Sequence, residues 1–157
     1  RTQVVAYDAS GGIYAARLWW MLRWLGHERA AVLDGGWQAW TAAGLPVSAE
    51  RADVEPRQFL ARPQARATVN ADELDGLLEG NACWLLDARA PERYEGRVEP
   101  LDPKAGHVPG ARNHPYVRNL GADGRFLPEP ELRERLLARL RGRAPSEVVS
   151  MCGSGVT

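Results

Sequence analysis

A cysteine followed by a glycine-rich stretch is the part of this sequence best suited to covalent chemistry. The segment runs Cys152-Gly153-Ser154-Gly155-Val156-Thr157, directly after the apolar residues 147–151, which predict a buried strand. Glycines allow consecutive backbone N–H groups to turn inward and form a nest that holds an anion. The N-terminus of a following helix would lower the pKa of a thiol at this place. Cys152 is therefore the candidate nucleophile, and the amides after it are candidate anion ligands. The alternative from the loop alone is a buried structural cysteine.

Alternating strands and helices occupy the first part of the chain. An apolar strand, Gln3–Tyr7, runs into the polar turn 8–12, and a helix follows over Ile13–Leu25 with Gly26 at its end. A short strand, Ala30–Leu33, then precedes a helix over Trp37–Ala43. Strands alternating with helices predict a parallel α/β sheet.

A second set of elements follows a polar stretch that contains three prolines between Gly44 and Ala67, which we interpret as a linker. Asn70 and Glu73 predict a capping box for a helix through Leu78. The strand Ala82–Leu86 leads into a long loop rich in arginine, and a helix marked by Leu132, Leu136, Leu137 and Leu140 precedes the strand that ends at Cys152.

Composition narrows the class of protein. The 157 residues have no formal net charge, and they are 45% hydrophobic and 25% charged, which is typical of a globular protein. Charge balance favours neither nucleic acid nor an acidic membrane surface as a partner, and no apolar run reaches the ~20 residues that span a bilayer. Cys83 lies in an apolar strand, where we expect a core residue. Two thiols in such different settings predict a reducing, cytoplasmic location, and the scattered histidines give no metal site.

Three motifs resemble the rhodanese-type sulfurtransferases, and more closely their 3-mercaptopyruvate branch. These motifs are Cys152 to Thr157, Asp87-Ala88-Arg89 through Arg93-Tyr94, and Gly106-His107-Val108-Pro109-Gly110. The thiosulfate-using branch typically has a basic pair after its cysteine, where this chain has the neutral Gly153 and Ser154. The resemblance implies an α/β fold with two rhodanese-like domains, each a parallel sheet flanked by helices and both incomplete in this chain.

The resemblance also implies a division of labour between the two domains. Residues 1–48 resemble the back part of an inactive domain, 49–66 the linker, and 67–157 the front part of a catalytic domain that ends in the active-site loop. In the first domain Asp8 stands at the position of the nucleophile, and a carboxylate cannot perform thiol chemistry. From the missing parts we expect the isolated residues to fold poorly.

The activity that the resemblance implies is sulfur transfer through a persulfide on Cys152, without a cofactor. Ser154 matches the family serine beside the cysteine, and Arg93 matches the arginine that binds the anionic donor; Arg97 is a further candidate. Gly153, Gly155, Val156 and Thr157 would hold the anion through their amides. His107 is expected to organise the loop before Pro109. The acceptor would be cyanide, a small thiol or a thioredoxin-like protein.

The sequence leaves open the identity of the sulfur donor and two alternative functions. The mercaptopyruvate branch commonly has a second arginine after a Glu-Pro pair, but here Leu101 follows Glu99-Pro100, so that Arg97 or Lys104 would have to replace it. 3-Mercaptopyruvate is favoured and thiosulfate is possible. A non-catalytic rhodanese-like binding module is the main alternative, and a cysteine-dependent phosphatase with a Cys-x5-Arg loop is a weaker one.

Overall fold

The computed structural model describes residues 2–65 and 67–155, which form two compact units. The first unit takes in the chain up to residue 67 together with 122–125, and the second takes in 68–121 and the residues from 126 onward. Both are α/β units with parallel strands, as the sequence predicts.

The first unit is built on two parallel strands joined by a helix. Strand β1 (Val4–Ala6) pairs with β2 (Ala30–Val32), and helix α1 (Ile13–Trp24) connects them. Helix α2 (Gly36–Ala42) follows β2. The side chains of Ala6 and Ala15 are buried in this unit, whereas Leu18 and Met21 on the apolar side of α1 are exposed.

The segment after α2 contains no helix or strand among its described residues, and it packs on the end of α1. The backbone N–H of Arg62 donates to the carbonyl of Leu25 at 2.9 Å, and that of Gln64 donates to Trp24 at 3.0 Å. These carbonyls belong to the last turn of a helix, where no intrahelical donor remains. The predicted stop is also present, because Gly26 follows the helix with a left-handed φ of 83°.

The second unit is a three-stranded parallel sheet with the strand order β4-β3-β5. The strands are β3 (Trp84–Asp87), β4 (Arg112–Asn113) and β5 (Val148–Met151). Leu85 in the central strand is fully buried, and Cys83 is buried as predicted. Helix α3 (Ala71–Glu79) begins with the predicted capping box, in which Glu73 N–H donates to Asn70 Oδ1 and Asn70 N–H donates to Glu73 Oε2. Helix α5 (Glu129–Leu140) precedes β5.

Two short elements lie within the arginine-rich stretch that the sequence predicts as a loop. Helix α4 spans Pro91–Tyr94, and β4 contains only two residues. Elements of this length are too short to show a helical or strand period. Pro91 at the first helical position is the local indication of α4, because its fixed φ suits a helix start. Within the described residues, no helix is long and apolar enough to cross a membrane.

Candidate active site

The carboxyl edge of the second sheet places the candidate nucleophile directly after the strand residue that pairs with Asp87. Asp87 at the end of β3 is in register with Met151 at the end of β5, so Cys152 begins the loop at this edge. The backbone N–H of Ala88 donates to the Met151 carbonyl at 2.9 Å and ties the two strand ends together. The carboxyl edge of a parallel sheet is a common place for a binding site, because the loops of neighbouring strands converge there.

The loop after β5 leaves the thiol accessible. Cys152 and Gly153 are half-buried, whereas Ser154 and Gly155 are exposed. Cys152 Sγ lies 3.8 Å from Ser154 Oγ, so the structure brings these two predicted residues together. Gly155 has a left-handed φ of 69°, which glycine adopts without strain. The predicted contributions of Val156 and Thr157 lie outside the described residues.

Arg93 packs directly against this loop. A methyl carbon at position 153 would lie 2.7 Å from Arg93 Nη2 and 3.0 Å from Nη1, so only glycine admits the guanidinium this close. Arg93 is on α4, which starts at Pro91, and three residues separate this start from the end of β3 at Asp87. The short helix therefore carries a fixed positive charge to the residue that follows Cys152. A guanidinium at this place is a candidate hydrogen-bond donor to an anionic reactant.

Glu99 anchors Arg93, which the sequence analysis missed. Arg93 Nη2 donates to Glu99 Oε1 at 2.6 Å, and the backbone N–H groups of Leu101 and Asp102 donate to the same oxygen at 3.0 Å. The Arg93 hydrogen bond, with the help of these amides, lowers the pKa of Glu99 to about 2. An acidic residue in an arginine-rich loop was the sequence feature that could have indicated this partnership.

A second arginine of the motif is used inside the protein. Arg89 is buried, and its Nε and Nη2 donate to the fully buried carboxylate of Asp87 at 2.7–3.0 Å. The guanidinium also bonds Glu99 and the carbonyl of Gly106. The hydrogen bond with Asp87 is the main cause that raises the pKa of Arg89. Arg89 thus links the end of β3 to Glu99, and through Glu99 to Arg93.

The structure does not bring Arg97 to the Cys152 loop. Its guanidinium bonds Glu95 on the exposed surface, at 2.6–2.7 Å.

His107 packs against α4. Its ring stacks on that of Tyr94 with centroids 3.7 Å apart, and Nδ1 lies 2.7 Å from the Tyr94 carbonyl oxygen. Because a carbonyl only accepts, Nδ1 carries the proton. Tyr94 in turn donates to the carbonyl of Ala111 at 2.6 Å.

Comparison with known proteins assigns the family. The profile of the Rhodanese-like domain matches residues 1–43 and 70–157, which is most of the chain. The chain belongs to the rhodanese-like family. Its fold is the α/β fold expected from the three motifs.

Relatives of this rhodanese-like chain include named sulfurtransferases. It is 48% identical to a probable 3-mercaptopyruvate sulfurtransferase of Pseudomonas aeruginosa over 99% of this chain and 55% of that protein. It is 34% identical to a thiosulfate sulfurtransferase of Bos taurus, over 99% of this chain and 54% of that protein. The chain thus spans about half the length of the curated relatives it matches. A crystal structure of SseA from Escherichia coli, described as a 3-mercaptopyruvate sulfotransferase with the rhodanese fold, superposes with a TM-score of 0.82, at 29% identity, over 99% of this chain and 58% of that one.

In the first unit of this rhodanese-like chain, the side chain of Asp8 fills a nest of backbone amides. Asp8 Oδ1 accepts from the N–H groups of Ser10 and Gly12, and Oδ2 accepts from those of Tyr14 and Ala15, all at 2.7–2.9 Å. Partial burial acts to raise the pKa of Asp8, but the four hydrogen bonds outweigh it and the pKa is lowered. The carboxylate therefore occupies the place that an external anion would need.

Proposed function

We propose that the protein is a sulfurtransferase, which moves a sulfane sulfur from a small anionic donor to a thiophilic acceptor through a persulfide on Cys152. The observation that carries this proposal is the packing of the Arg93 guanidinium against Gly153, the residue that follows Cys152. A nucleophile with an adjacent, fixed cation suits a donor that contains both an electrophilic sulfur and a carboxylate. Family membership and the named relatives support the same reaction class.

In the first half-reaction, the Cys152 thiolate attacks the sulfur of 3-mercaptopyruvate. A new S–S bond forms, and the C–S bond breaks with its electron pair going to carbon. The leaving group is the enolate of pyruvate, which takes up a proton. Ser154 Oγ lies 3.8 Å from Cys152 Sγ. After a small movement, this hydroxyl would pass a proton to the leaving group.

Arg93 would bind the carboxylate of the donor. Two of its nitrogens are engaged, since Nε and Nη2 donate to Glu99. Among the described residues Nη1 donates to no acceptor, and it is one of the two nitrogens nearest to Gly153. A donor carboxylate on this nitrogen would lie beside Gly153, the residue that follows Cys152. The amides of Gly153, Ser154 and Gly155, with those of Val156 and Thr157, would hold the persulfide anion.

In the second half-reaction, an acceptor takes the outer sulfur and returns Cys152 to the thiolate. Ser154 and Gly155 are exposed, so a small thiol, cyanide or the thiol of a thioredoxin-like protein would reach the persulfide from this side. Splitting the transfer into two steps through a covalent intermediate is the general advantage of a nucleophilic cysteine.

The favoured donor is 3-mercaptopyruvate, with thiosulfate as the second choice. The 3-mercaptopyruvate relative is 48% identical and the thiosulfate relative 34%, and the residues after the cysteine are neutral. We also propose that residues 1–48 belong to an inert domain, 49–66 to a linker and 67–157 to the catalytic domain. The two matched ranges, 1–43 and 70–157, and the self-filled Asp8 nest support this division. We also propose a cytoplasmic location, because the sequence has two cysteines in settings too different for a disulfide pair.

Mass spectrometry of the Cys152 peptide tests the proposal. The protein is incubated with 3-mercaptopyruvate or with thiosulfate, and the peptide is weighed before and after reduction. We expect a reducible gain of one sulfur atom, larger with 3-mercaptopyruvate, and no gain in Cys152→Ser. Cys83→Ser is the matched control and should retain the gain. No added sulfur with either donor would contradict the proposal and favour a binding module or a phosphatase.

A further inference from the structure

Two carboxylates share Arg93, and they differ sharply in exposure. The Glu99 side chain is 5% exposed, whereas that of Asp102 is 41% exposed. Arg93 Nη2 lies 2.6 Å from Glu99 Oε1 and 3.2 Å from Asp102 Oδ2. One arginine thus has an inner, buried counterion and an outer, exposed one.

The inner carboxylate is bound from several sides. Besides Arg93, Glu99 accepts from Arg89 Nη1 at 3.3 Å and from the backbone N–H groups of Leu101 and Asp102. Removing Glu99 from this position would break all of these bonds at once. We therefore assign Glu99 to positioning the guanidinium.

The outer carboxylate is bound much more weakly. Within the described residues, the Asp102 carboxylate forms ion pairs with Arg93, at 3.2 Å, and with Arg89, at 3.9 Å. This ion pair is held by a small free energy, because water solvates the exposed carboxylate of Asp102 and replaces the contact at little cost. Asp102 can therefore turn into solvent without disturbing the buried pairs.

The balance of charge around Arg93 explains how this movement of Asp102 would favour the binding of an anion. The carboxylates of Asp87, Glu99 and Asp102 face the guanidiniums of Arg89 and Arg93, so three negative charges meet two positive ones. An incoming anion is disfavoured while all three carboxylates are in place. If the anion replaces Asp102 on Arg93, the balance of the cluster is unchanged.

We propose that Asp102 is an internal counterion that an anionic substrate displaces from Arg93, so that Asp102 sets the affinity and the selectivity of the site for anions. For the sulfur donor, this inference rests on the proposed function. The inference about anion selectivity at Cys152 does not rest on the proposed function, because any small anionic electrophile must displace Asp102 in the same way.

Alkylation of Cys152 by iodoacetate and by iodoacetamide tests anion selectivity independently of the proposed sulfur transfer. The first reagent is an anion and the second a neutral molecule of similar size, so the ratio of their rates cancels the fraction of thiolate. In Asp102→Asn we expect this ratio to rise about two- to fivefold, the range of one exposed ion pair. The KM for 3-mercaptopyruvate should fall by a similar factor with kcat little changed. Asp102→Ser is a second variant with the same expectation.

Glu95→Gln is the matched control, because it removes an exposed carboxylate that pairs with Arg97 rather than with Arg93. Its ratio should stay at the wild-type value. A ratio that is unchanged or lower in both Asp102 variants would overturn the inference, since Asp102 would then orient Arg93 rather than compete for it. A raised ratio without any persulfide from either donor would leave the inference standing and refute the proposed function.

Discussion

The guanidinium of Arg93 and the α-carbon of Gly153 are packed against each other without room for a methyl group between them. The residue next to the nucleophile is therefore small because a cation from another element occupies the space. This relationship connects α4 to the Cys152 loop across 60 residues of sequence, and most of our predictions depend on it.

Gly153→Ala tests this packing directly. The added methyl would meet Nη2 at 2.7 Å, so the guanidinium must move away from residue 153. We expect kcat/KM for 3-mercaptopyruvate to fall, by up to about 100-fold if the arginine shifts by an ångström. Steady-state kinetics provide the measurement. Gly76→Ala is the control, since nothing lies within 4 Å of its added carbon, and it should keep full activity.

Arg93→Lys tests whether the site needs the planar guanidinium, with its several N–H donors, or only a positive charge. Lysine keeps the charge but cannot donate to Glu99 and to a substrate carboxylate in one plane. We expect a loss of about 10- to 100-fold in kcat/KM, equivalent to the ~1.5–3 kcal/mol of a hydrogen bond to a charged group. Arg97→Lys, at an exposed pair with Glu95, should change the value less than twofold. Equal losses in both variants would refute a special role for Arg93.

Glu99→Gln should reduce the dependence of stability on acid pH. The pKa of Glu99 is lowered from 4.5 to about 2 in the folded protein, so its carboxylate stabilises the fold above pH 4.5. That contribution is lost progressively as the pH falls from about 4.5 to about 2. Urea unfolding at pH 6 and pH 3 should show a smaller difference in the variant than in the wild type.

The control for this experiment is Glu131→Gln, which removes an exposed carboxylate paired with Arg135. Its stability difference between the two pH values should match the wild type. If Glu99→Gln shows the full wild-type difference, another carboxylate is responsible for the acid sensitivity.

Asp8→Asn should destabilise the first unit without affecting sulfur transfer at Cys152. The carboxylate accepts from four backbone N–H groups, and an amide would place its own NH2 against two of them. We expect the free energy of unfolding to drop by about 1–3 kcal/mol, the cost of unsatisfied donors. Urea denaturation gives the measurement, with the exposed Asp75→Asn in α3 as a near-neutral control. A loss of persulfide formation without a loss of stability would contradict an inert role.

Local patterns in the sequence were enough for the elements that depend on near neighbours. The capping box of Asn70 and Glu73, the glycine stop after α1 and the strand before Cys152 all involve residues within a few positions of each other. The buried setting of Cys83 follows from an apolar run in the same way. The arginine-rich loop was harder, because α4 and β4 are shorter than one period of the pattern that would indicate them.

The sequence by itself determined the glycine loop, the parallel α/β fold and the family, and it predicts Cys152 as the nucleophile. Tertiary structure alone decided which charges face that loop. Arg89, Arg93 and Arg97 lie in one short stretch of sequence, yet one is buried on Asp87, one lies against Gly153 and one pairs with Glu95 at the surface. The physical reason is that the β3–β5 register and the fold of residues 95–107 set these distances, and charges act through space rather than along the chain.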